Sequence, residues 1–472
     1  MNVIILGAGQ VGSSVAEHLA SEENDITMID VDANRLAEVA NRIEMRTLVG
    51  NAASPRLLEQ GGARDCDLLV AVTQSDQTNL CASLIAKRLF NVPRSIVRVR
   101  AADYTAFQEL LGEEAFAVDF AICPEQIVCE YIVRLVNHPG VLQLLDFANG
   151  AVQLAAVRAE RGGKLVGHPI KALRYHLPNV EMRVAAIYRH GVPIIPEGDT
   201  VIHPGDELFF LASAGQIPAL LRELRPAERR GSRVMIAGGG NIGMRLAKLL
   251  ERDYRVKLIE YNKQRAQQLA VELTDTLVLA GDATDEHLLD REGIEEVDHF
   301  LAVTNDDENN IMGAALAKRL GAKKTLAIIN RSAYVDLVQG ETIDIAISPA
   351  LVTIGALLKH VRRGDVAAVH RLRRGAAEAI EIVVHGNAQT SKVVGRRIDQ
   401  IRWPPGVTVA AIVREETVSD DEEATPTRKQ KRVVMAHHDT VIEEGDHVIL
   451  FCTQRRRVRE VEKLFAVGFG FF

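Results

Sequence analysis

Short apolar runs alternate with amphipathic stretches in two long parts of the chain. Each run is rich in Val, Ile and Leu and is bounded by turn residues, a pattern that predicts a strand between helices. The earlier predicted strands are Val3–Leu6, Ile26–Asp30, Thr47–Gly50, Leu68–Val72, Ile96–Val99 and Ala117–Ile122. The later ones are Val234–Ala237, Val256–Glu260, Thr276–Ala280, Phe300–Val303, Leu326–Ile329 and Ile343–Ile347. Continuous apolar strands separated by helices predict parallel sheets covered on both faces.

The segments 140–228 and 366–472 show a different pattern. Strands such as Val152–Arg158, Val180–Arg189 and Glu207–Leu211 follow one another with turn residues between them, and helical periodicity is rare. The predicted fold class is therefore α/β, with two Rossmann-like doubly wound parallel sheets, each followed by a small β-rich α+β subdomain. The predicted domain boundaries are 1–138, 139–228, 229–365 and 366–472.

The second half of the chain repeats the first. VIILGAGQVGSSVAEHL from Val3 matches VMIAGGGNIGMRLAKLL from Val234, and LVGNAA matches LAGDAT with Asn51 opposite Asp282. The trailing units also match, since KLVGHPIKAL corresponds to KVVGRRIDQI. These matches keep one order, which predicts a duplication of the whole two-part module. The segment 225–232 is predicted to link the halves, and the acidic-then-basic segment Glu415–Arg432 is predicted to be a solvated loop between two strands.

Composition and charge narrow the class of function. The 472 residues carry a net charge of −7 without a basic stripe, and only 4% are aromatic, so neither nucleic acid nor anionic lipid is an expected partner. No apolar run approaches the ~20 residues of a membrane span, and the N-terminus does not resemble a signal peptide. We expect a soluble cytoplasmic protein without a lipid anchor. Its five cysteines lack CxxC spacing and are expected to be reduced and buried.

Two glycine-rich turns follow the first strand of each copy. They are Gly7, Ala8, Gly9, Gln10, Val11 and Gly12 in the first copy, and Gly238, Gly239, Gly240, Asn241, Ile242 and Gly243 in the second. In a GxGxxG turn the first glycine permits the tight bend, the second lets a pyrophosphate approach, and the third lets the helix pack against the strand. Free N–H groups at the helix start then face the phosphates.

A carboxylate closes the next strand of each copy, at Asp30 and Glu260. A carboxylate at this position accepts hydrogen bonds from ribose hydroxyls and repels a 2′-phosphate, which favours NAD or an adenine nucleotide over NADP. The alternative is a doubly wound domain whose glycine turn is empty.

Polar residues follow other strand ends, where the crevice of such a sheet lies. They are Asn51, Thr73 and Gln74 in the first copy, and Asp282, Thr304 and Asn305 in the second. Each is predicted either to contact ligand or to cap a helix. Arg98 and Arg100 leave the fifth strand of the first copy and are interpreted either as phosphate ligands or as surface arginines.

The sequence favours a binding protein over an enzyme. No histidine with a carboxylate partner stands out at a strand end, and no HExxH, GxSxG or P-loop motif is present. Duplicated binding units suit a ligand-operated switch. An NAD-dependent oxidoreductase and an adaptor that no longer binds nucleotide are the alternatives.

The motifs GAGQVG with Asp30, VGNAA, AVTQSD and VRVRAADY, together with the trailing β-rich units, resemble a known family. It is the family of Trk potassium uptake regulators that carry two regulator-of-potassium-conductance (RCK, or KTN) domains. The resemblance implies a peripheral subunit on the cytoplasmic side of the inner membrane. Such a subunit would bind NAD+ and NADH, with ATP or ADP as alternatives, and form a homo-oligomer, a tetrameric ring. It would control potassium transport through an integral-membrane Trk translocator.

The same resemblance places the first nucleotide site on Gly7–Val11, Asp30, Asn51, Thr73, Gln74 and Arg98, and the second on Gly238–Ile242, Glu260, Asp282 and Thr304. The second copy has Ile328 and Asn330 where Arg98 and Arg100 stand, so the second site is expected to bind more weakly. Apolar stripes on the helices from Pro124 and Pro349 are interpreted either as intramolecular core packing or, from the resemblance, as lobe-pairing helices that cross to a partner lobe.

Overall fold

The fold is described from a computed structural model of the chain. The residues described are 1–20, 24–101, 104, 106–138, 140–178, 180–194, 196–224, 232–340, 342–361, 366–372, 377–418, 428–452 and 457–467. Within the chain, Met1–Ile132 and Ser232–Val361 form one compact unit, and Val133–Gly231 and Arg362–Phe472 form another. None of the described helices is long and apolar enough to cross a membrane.

The first lobe is a parallel six-stranded sheet. Its strands are β1 (Asn2–Leu6), β2 (Asp25–Asp30), β3 (Arg46–Val49), β4 (Leu68–Ala71), β5 (Ser95–Arg98) and β6 (Phe120–Ile122), in the order β3-β2-β1-β4-β5-β6. Its helices are α1 (Gln10–Ala20), α2 (Ala33–Ala40), α3 (Pro55–Gln60), α4 (Asp76–Phe90) and α5 (Pro124–Asn137). Val3 and Ile5 enter one apolar core, and Ile4 and Leu6 enter another, so both faces of β1 are covered. This is the predicted doubly wound sheet, and its order reverses beside β1.

The β-rich sheet that follows is antiparallel and five-stranded. It consists of β7 (Val141–Phe147), β8 (Val152–Arg158), β9 (Met182–Arg189), β10 (Val192–Ile194) and β11 (Glu207–Ser213), in the order β10-β9-β11-β8-β7. The short α6 (Leu173–His176) and α7 (Ile217–Leu224) accompany it. The mixture of strands and short helices matches the predicted α+β class.

The second lobe repeats the first. Its strands are β12 (Arg233–Ala237), β13 (Arg255–Glu260), β14 (Leu277–Ala280), β15 (His299–Ala302), β16 (Lys324–Ile328) and β17 (Ile345–Ile347), in the order β14-β13-β12-β15-β16-β17. Its helices are α8 (Asn241–Leu250), α9 (Lys263–Glu272), α10 (Glu286–Arg291), α11 (Asp307–Arg319), α12 (Ser332–Val338) and α13 (Pro349–Val361). Equal strand order in two lobes is the structural counterpart of the sequence repeat.

The last sheet is again antiparallel. It contains β18 (Val366–Arg371), β19 (Glu378–Val383), β20 (Val407–Val418), β21 (Arg428–Met435) and β22 (His447–Cys452), in the order β18-β19-β22-β20-β21, and is followed by α14 (Val458–Phe465). Both antiparallel sheets belong to the second compact unit. The Glu381 carboxylate joins them by accepting a 2.9 Å hydrogen bond from the Ala148 N–H.

The last helix of each lobe contacts the other lobe of the same chain. Ile354 and Leu357 of α13 are buried in the core that contains Val15 and Leu19 of α1. In the opposite direction, the Cys129 thiol of α5 donates a 3.5 Å hydrogen bond to a backbone oxygen in α8. These contacts between the lobes are intramolecular, so for α13 the structure shows the interpretation of its apolar stripe as core packing within one chain.

Equivalent buried aspartates stabilise the two antiparallel sheets. Asp206 accepts two 2.8–2.9 Å hydrogen bonds from the Arg189 guanidinium. Asp446 accepts two at 2.8 Å from Arg414, and a further one at 2.7 Å from the Glu443 N–H. The neighbouring carboxylates raise the pKa of both guanidiniums. These pairs satisfy charges that would otherwise be costly to bury.

The prediction of a loop over Glu415–Arg432 is wrong at both ends. β20 extends to Val418 and β21 begins at Arg428, while 419–427 lie outside the described residues. The two runs of charge face each other across the hairpin, with Glu415 opposite Lys431 and a 3.0 Å ion pair between Glu416 and Arg432. Opposite charges on facing strands favour pairing, which explains why a highly charged segment forms strands.

The predictions for the cysteines and for the linker between the halves are tested only in part by the structure. All five cysteines are free, but Cys81 is exposed and Cys123 is half-buried, so burial was wrongly predicted for these two. Cys81 lies on the solvent side of α4, where a small side chain is tolerated without packing. Of the predicted linker 225–232, all but Ser232 lies outside the described residues.

Candidate functional site

The two glycine turns have the geometry that their sequence predicts. Gly7 and Gly238 have φ angles of +106° and +107°, a region that favours glycine. A Cβ at Gly12 would lie 1.9 Å from the Gly7 oxygen, and one at Gly243 would lie 1.8 Å from the Gly238 oxygen. The first and third glycines are therefore required by the backbone itself, before any ligand is considered.

The middle glycines differ from the other two. A Cβ at Gly9 or Gly240 would meet nothing within 4 Å, and both residues line a cavity. The first N–H groups of α1 and α8 also lack partners inside their helices and point out of the helix start. A phosphate group would therefore find room and donors at these positions.

Alanine substitutions should separate the two roles. Gly12→Ala is expected to lower the free energy of unfolding by about 3 kcal/mol, because its Cβ would collide with a backbone oxygen that cannot move freely. Gly9→Ala is expected to change it by less than about 0.5 kcal/mol. Urea unfolding of the two variants measures the contrast, and equal stabilities would contradict this account of the turn.

The carboxylates after β2 and β13 hold the glycine turns in place. Asp30 accepts hydrogen bonds from the Ala8 N–H at 2.6 Å and the Asp32 N–H at 2.8 Å. Glu260 accepts from the Gly239 N–H at 2.7 Å and the Asn262 N–H at 2.8 Å. Each carboxylate oxygen has a second lone-pair direction, so the same group that orders the turn is able to accept from a ribose hydroxyl.

Two buried asparagines organise the other strand ends and were missed by the sequence analysis. Asn79 accepts from the Thr73 N–H at 3.0 Å and the Thr73 hydroxyl at 2.6 Å, and it donates to the Arg98 oxygen at 3.0 Å. Asn310 repeats the contacts with Thr304 at 2.9 and 2.7 Å. Their equal position in AVTQSDQTN and AVTNDDENN was the available signal.

Helix capping was the alternative role for the crevice residues. In the structure, neighbouring residues cap the helices instead. Ser75 caps α4 and Asp306 caps α11. Asn51 instead accepts a 2.9 Å hydrogen bond from the Ala53 N–H, and Asp282 accepts one of 2.8 Å from the Thr284 N–H. These side chains stabilise turns at the edge of the crevice and do not cap a helix.

The crevices of the two lobes open into one shared cavity of about 2160 Å³. The cavity brings together all of the predicted site residues except the third glycine of each turn and Arg100. Its lining includes Gly7, Ala8, Gly9, Gln10, Val11, Asp30, Asn51, Thr73, Gln74, Arg98, Gly238, Gly239, Gly240, Asn241, Ile242, Glu260, Asp282 and Thr304. Gly12 and Gly243 lie behind it, against the strands. Glu125 of α5 and Ala350 of α13 also line the cavity, so the crossing helices form part of its wall.

The two arginines after β5 have different surroundings. Arg98 lines the cavity and is paired with Glu125 at 2.6 Å, while its buried Nε has no hydrogen-bond partner. Arg100 does not line the cavity; it donates to the Gln74 oxygen and lies 3.7 Å from the Asp76 carboxylate. The interpretation of Arg100 as a phosphate ligand is therefore not supported, because Arg100 lies outside the lining of the cavity.

The second crevice has arginines that the alignment of strand ends did not reveal. Ile328 and Ala350 line the cavity at the positions that correspond to Arg98 and Glu125, so two apolar side chains replace that ion pair. Arg331 lines it while paired with Glu308. Arg265 lines it as well and donates a 3.2 Å hydrogen bond to the Gly239 oxygen, but Arg35 lines the first crevice at the equivalent position. Of these two arginines, only Arg331 therefore adds a positive charge that the first crevice lacks at the equivalent position.

Two family models match the chain. The TrkA-N domain model matches residues 3–124 and 234–349, and the TrkA-C domain model matches residues 154–225 and 388–466. The chain belongs to the TrkA family. The resemblance to tandem RCK regulators of potassium uptake is thereby confirmed.

Relatives and solved structures agree with this assignment to the TrkA family. A "Trk system potassium uptake protein TrkA" from Halomonas elongata is 54% identical over 472 residues, which is 100% of both chains. A crystal structure of the GsuK RCK domain superposes with a TM-score of 0.60 at 18% identity, covering 98% of this chain and 94% of its own. The GsuK channel bound to NAD superposes with a TM-score of 0.59 at 17% identity, covering 98% and 78%. The structural matches confirm the fold of tandem RCK domains.

Proposed function

We propose that the protein is the NAD(H)-binding regulatory subunit of a Trk potassium uptake system. The observation that carries the proposal is the shared cavity, into which two glycine turns and two ribose-type carboxylates open from the two lobes of one chain. Its relatives are named for Trk potassium uptake. Because residues of both lobes line the cavity, we infer that ligand bound there biases how the lobes are arranged.

The chemistry of each crevice favours NAD+ or NADH. Helix N-termini at Gln10 and Asn241 suit a pyrophosphate, and Asp30 and Glu260 suit ribose hydroxyls while repelling a 2′-phosphate. A structure of the same fold, the GsuK channel, is described with NAD bound. ATP and ADP share the adenosine diphosphate half of NAD, which makes them competitors to be tested in the same crevices.

The partner in this proposal is an integral-membrane potassium translocator. The regulator would sit peripherally on the cytoplasmic side of the inner membrane, as a homo-oligomer arranged as a tetrameric ring. Exchange of one nucleotide for another would change the arrangement of the lobes, and potassium transport through the translocator would change in response. Since the net charge is −7, attraction to anionic lipid does not offer an alternative means of attachment.

Titration calorimetry with NADH is the direct test of the binding step. Wild-type protein should bind NADH, and the double variant Gly9→Ala/Gly240→Ala should lose at least ~100-fold in affinity, because each methyl group occupies the approach of a pyrophosphate. Each single variant should retain one site. Unchanged binding by the double variant would show that the glycine turns do not hold the nucleotide.

The regulatory step needs a second measurement. Potassium flux through co-purified translocator should depend on NAD(H) with wild-type regulator and lose that dependence with the double variant. An oxidoreductase would instead turn over the cofactor with candidate substrates. Among the described residues that line the cavity there is no histidine, cysteine or lysine. Sustained NADH oxidation by purified protein would favour the enzyme over the regulator.

A further inference from the structure

One aromatic side chain distinguishes the second crevice from the first. The residue after each ribose-type carboxylate lines the shared cavity and is strongly exposed, with Val31 at 73% and Tyr261 at 80%. These positions correspond in the sequence repeat. We propose that Tyr261 is a stacking residue for the adenine base, which makes the second crevice selective for adenine nucleotides whether or not they carry nicotinamide.

The backbone on both sides of Tyr261 is held in place. Glu260 accepts from the Asn262 N–H at 2.8 Å, and Asn262 in turn caps α9 by accepting from the N–H groups of Gln264 and Arg265 at 3.0 and 3.1 Å. The turn is therefore ordered before ligand arrives, while the ring itself remains open to solvent. An ordered backbone that carries an exposed ring suits a stacking surface, because the backbone loses little conformational entropy when the ligand binds.

The place of Tyr261 directly after Glu260 identifies the base. A carboxylate at the position of Glu260 binds the adenosine ribose of a dinucleotide, and Tyr261 lines the same cavity, so adenine is the base within its reach. Adenine has an extended π face that stacks on tyrosine, whereas a valine offers only a small apolar contact. Phosphate is accounted for separately by the glycine turn and by Arg265, whose guanidinium lies at the Gly239 oxygen.

An exposed surface tyrosine without a role is the simpler explanation, but two observations disfavour it. The ring lines the same cavity as the glycine turn and the carboxylate of its own lobe. In addition, Arg35 in the first crevice stands where Arg265 stands in the second, and both line the cavity, so this part of the wall is alike in the two crevices except for the tyrosine.

The inference rests on the proposed nucleotide function, and the experiment isolates the second crevice. In a Gly9→Ala background, ADP, NADH and nicotinamide mononucleotide are titrated by calorimetry. Tyr261→Val should weaken ADP and NADH alike by roughly ten-fold and leave nicotinamide mononucleotide unchanged, since that compound lacks adenine. Tyr261→Phe should retain wild-type affinity, because the ring is kept.

The reciprocal variant provides a matched control. In a Gly240→Ala background, Val31→Tyr should strengthen ADP binding to the first crevice by a similar factor. If Tyr261→Val binds ADP as well as its parent does, the stacking role is overturned while the proposed function stands. If neither wild-type crevice binds any of the three compounds, the proposed function itself is overturned.

Discussion

Replacing Asp446 with alanine is expected to lower the free energy of unfolding of the second antiparallel sheet by about 3–5 kcal/mol. The carboxylate is fully buried and accepts two 2.8 Å hydrogen bonds from Arg414. Its removal leaves a partly buried guanidinium without its main partner and the Glu443 N–H without an acceptor. Removing one partner of a buried ion pair is strongly destabilising, because the remaining charge stays desolvated. Replacing both partners by apolar residues changes the stability much less.

The single tryptophan makes this effect measurable in a chain of several domains. Trp403 lies beside the same sheet, where its indole N–H donates a 3.0 Å hydrogen bond to the Ile398 oxygen and its ring lies 6.1 Å from that of Phe465. Its fluorescence in urea therefore follows the unfolding of this part of the protein.

Two controls accompany the Asp446 measurement. Glu416→Ala removes an exposed ion pair in the same sheet and should cost less than about 1 kcal/mol. The double variant Asp446→Leu/Arg414→Met should recover much of the lost stability, because no charge is left buried alone. A loss below 1 kcal/mol for Asp446→Ala would contradict the structural role given to the pair.

The strands and glycine turns could be predicted because their signals are local. A continuous apolar run such as β4 indicates a strand that is buried on both faces. The spacing of Gly7 and Gly12 indicates that α1 packs closely against the strand that precedes it. The carboxylate Asp30 was likewise found from its distance along the chain to the last glycine. In each case the residues that interact lie within one strand–turn–helix module.

Contacts between the lobes could not be predicted in the same way. Leu357 packs beside α1 although the two are more than three hundred residues apart, and no periodicity encodes that partner. The two crevices share one cavity because the lobes pack against each other, so the shared cavity could not be predicted either. The pairing of Arg98 with Glu125 was also not predicted, since a strand end specifies where an arginine starts and not which group it meets.

The charge of Asp30 is expected to set the choice between NADH and NADPH in the first crevice. Asp30→Asn should weaken NADH binding there by roughly ten- to hundred-fold, because a charge-assisted hydrogen bond to ribose contributes about 1.5–3 kcal/mol. The same change should reduce the discrimination against NADPH, since the repulsion of a 2′-phosphate disappears. Asparagine is preferred to alanine because its one side-chain oxygen still accepts one of the two N–H groups, of Ala8 and Asp32, that the two oxygens of Asp30 hold.

The control for this substitution lies on the same strand. Asp25 is an exposed carboxylate at the opposite end of β2, and Asp25→Asn makes the same chemical change far from the crevice. Titrations in a Gly240→Ala background confine the measurement to the first site. If Asp25→Asn lowers NADH affinity as much as Asp30→Asn does, the effect is one of net charge. If the parent protein binds NADPH as tightly as NADH, the role given to Asp30 is wrong, because a carboxylate at the ribose hydroxyls cannot accept a phosphate in their place without a large loss of affinity.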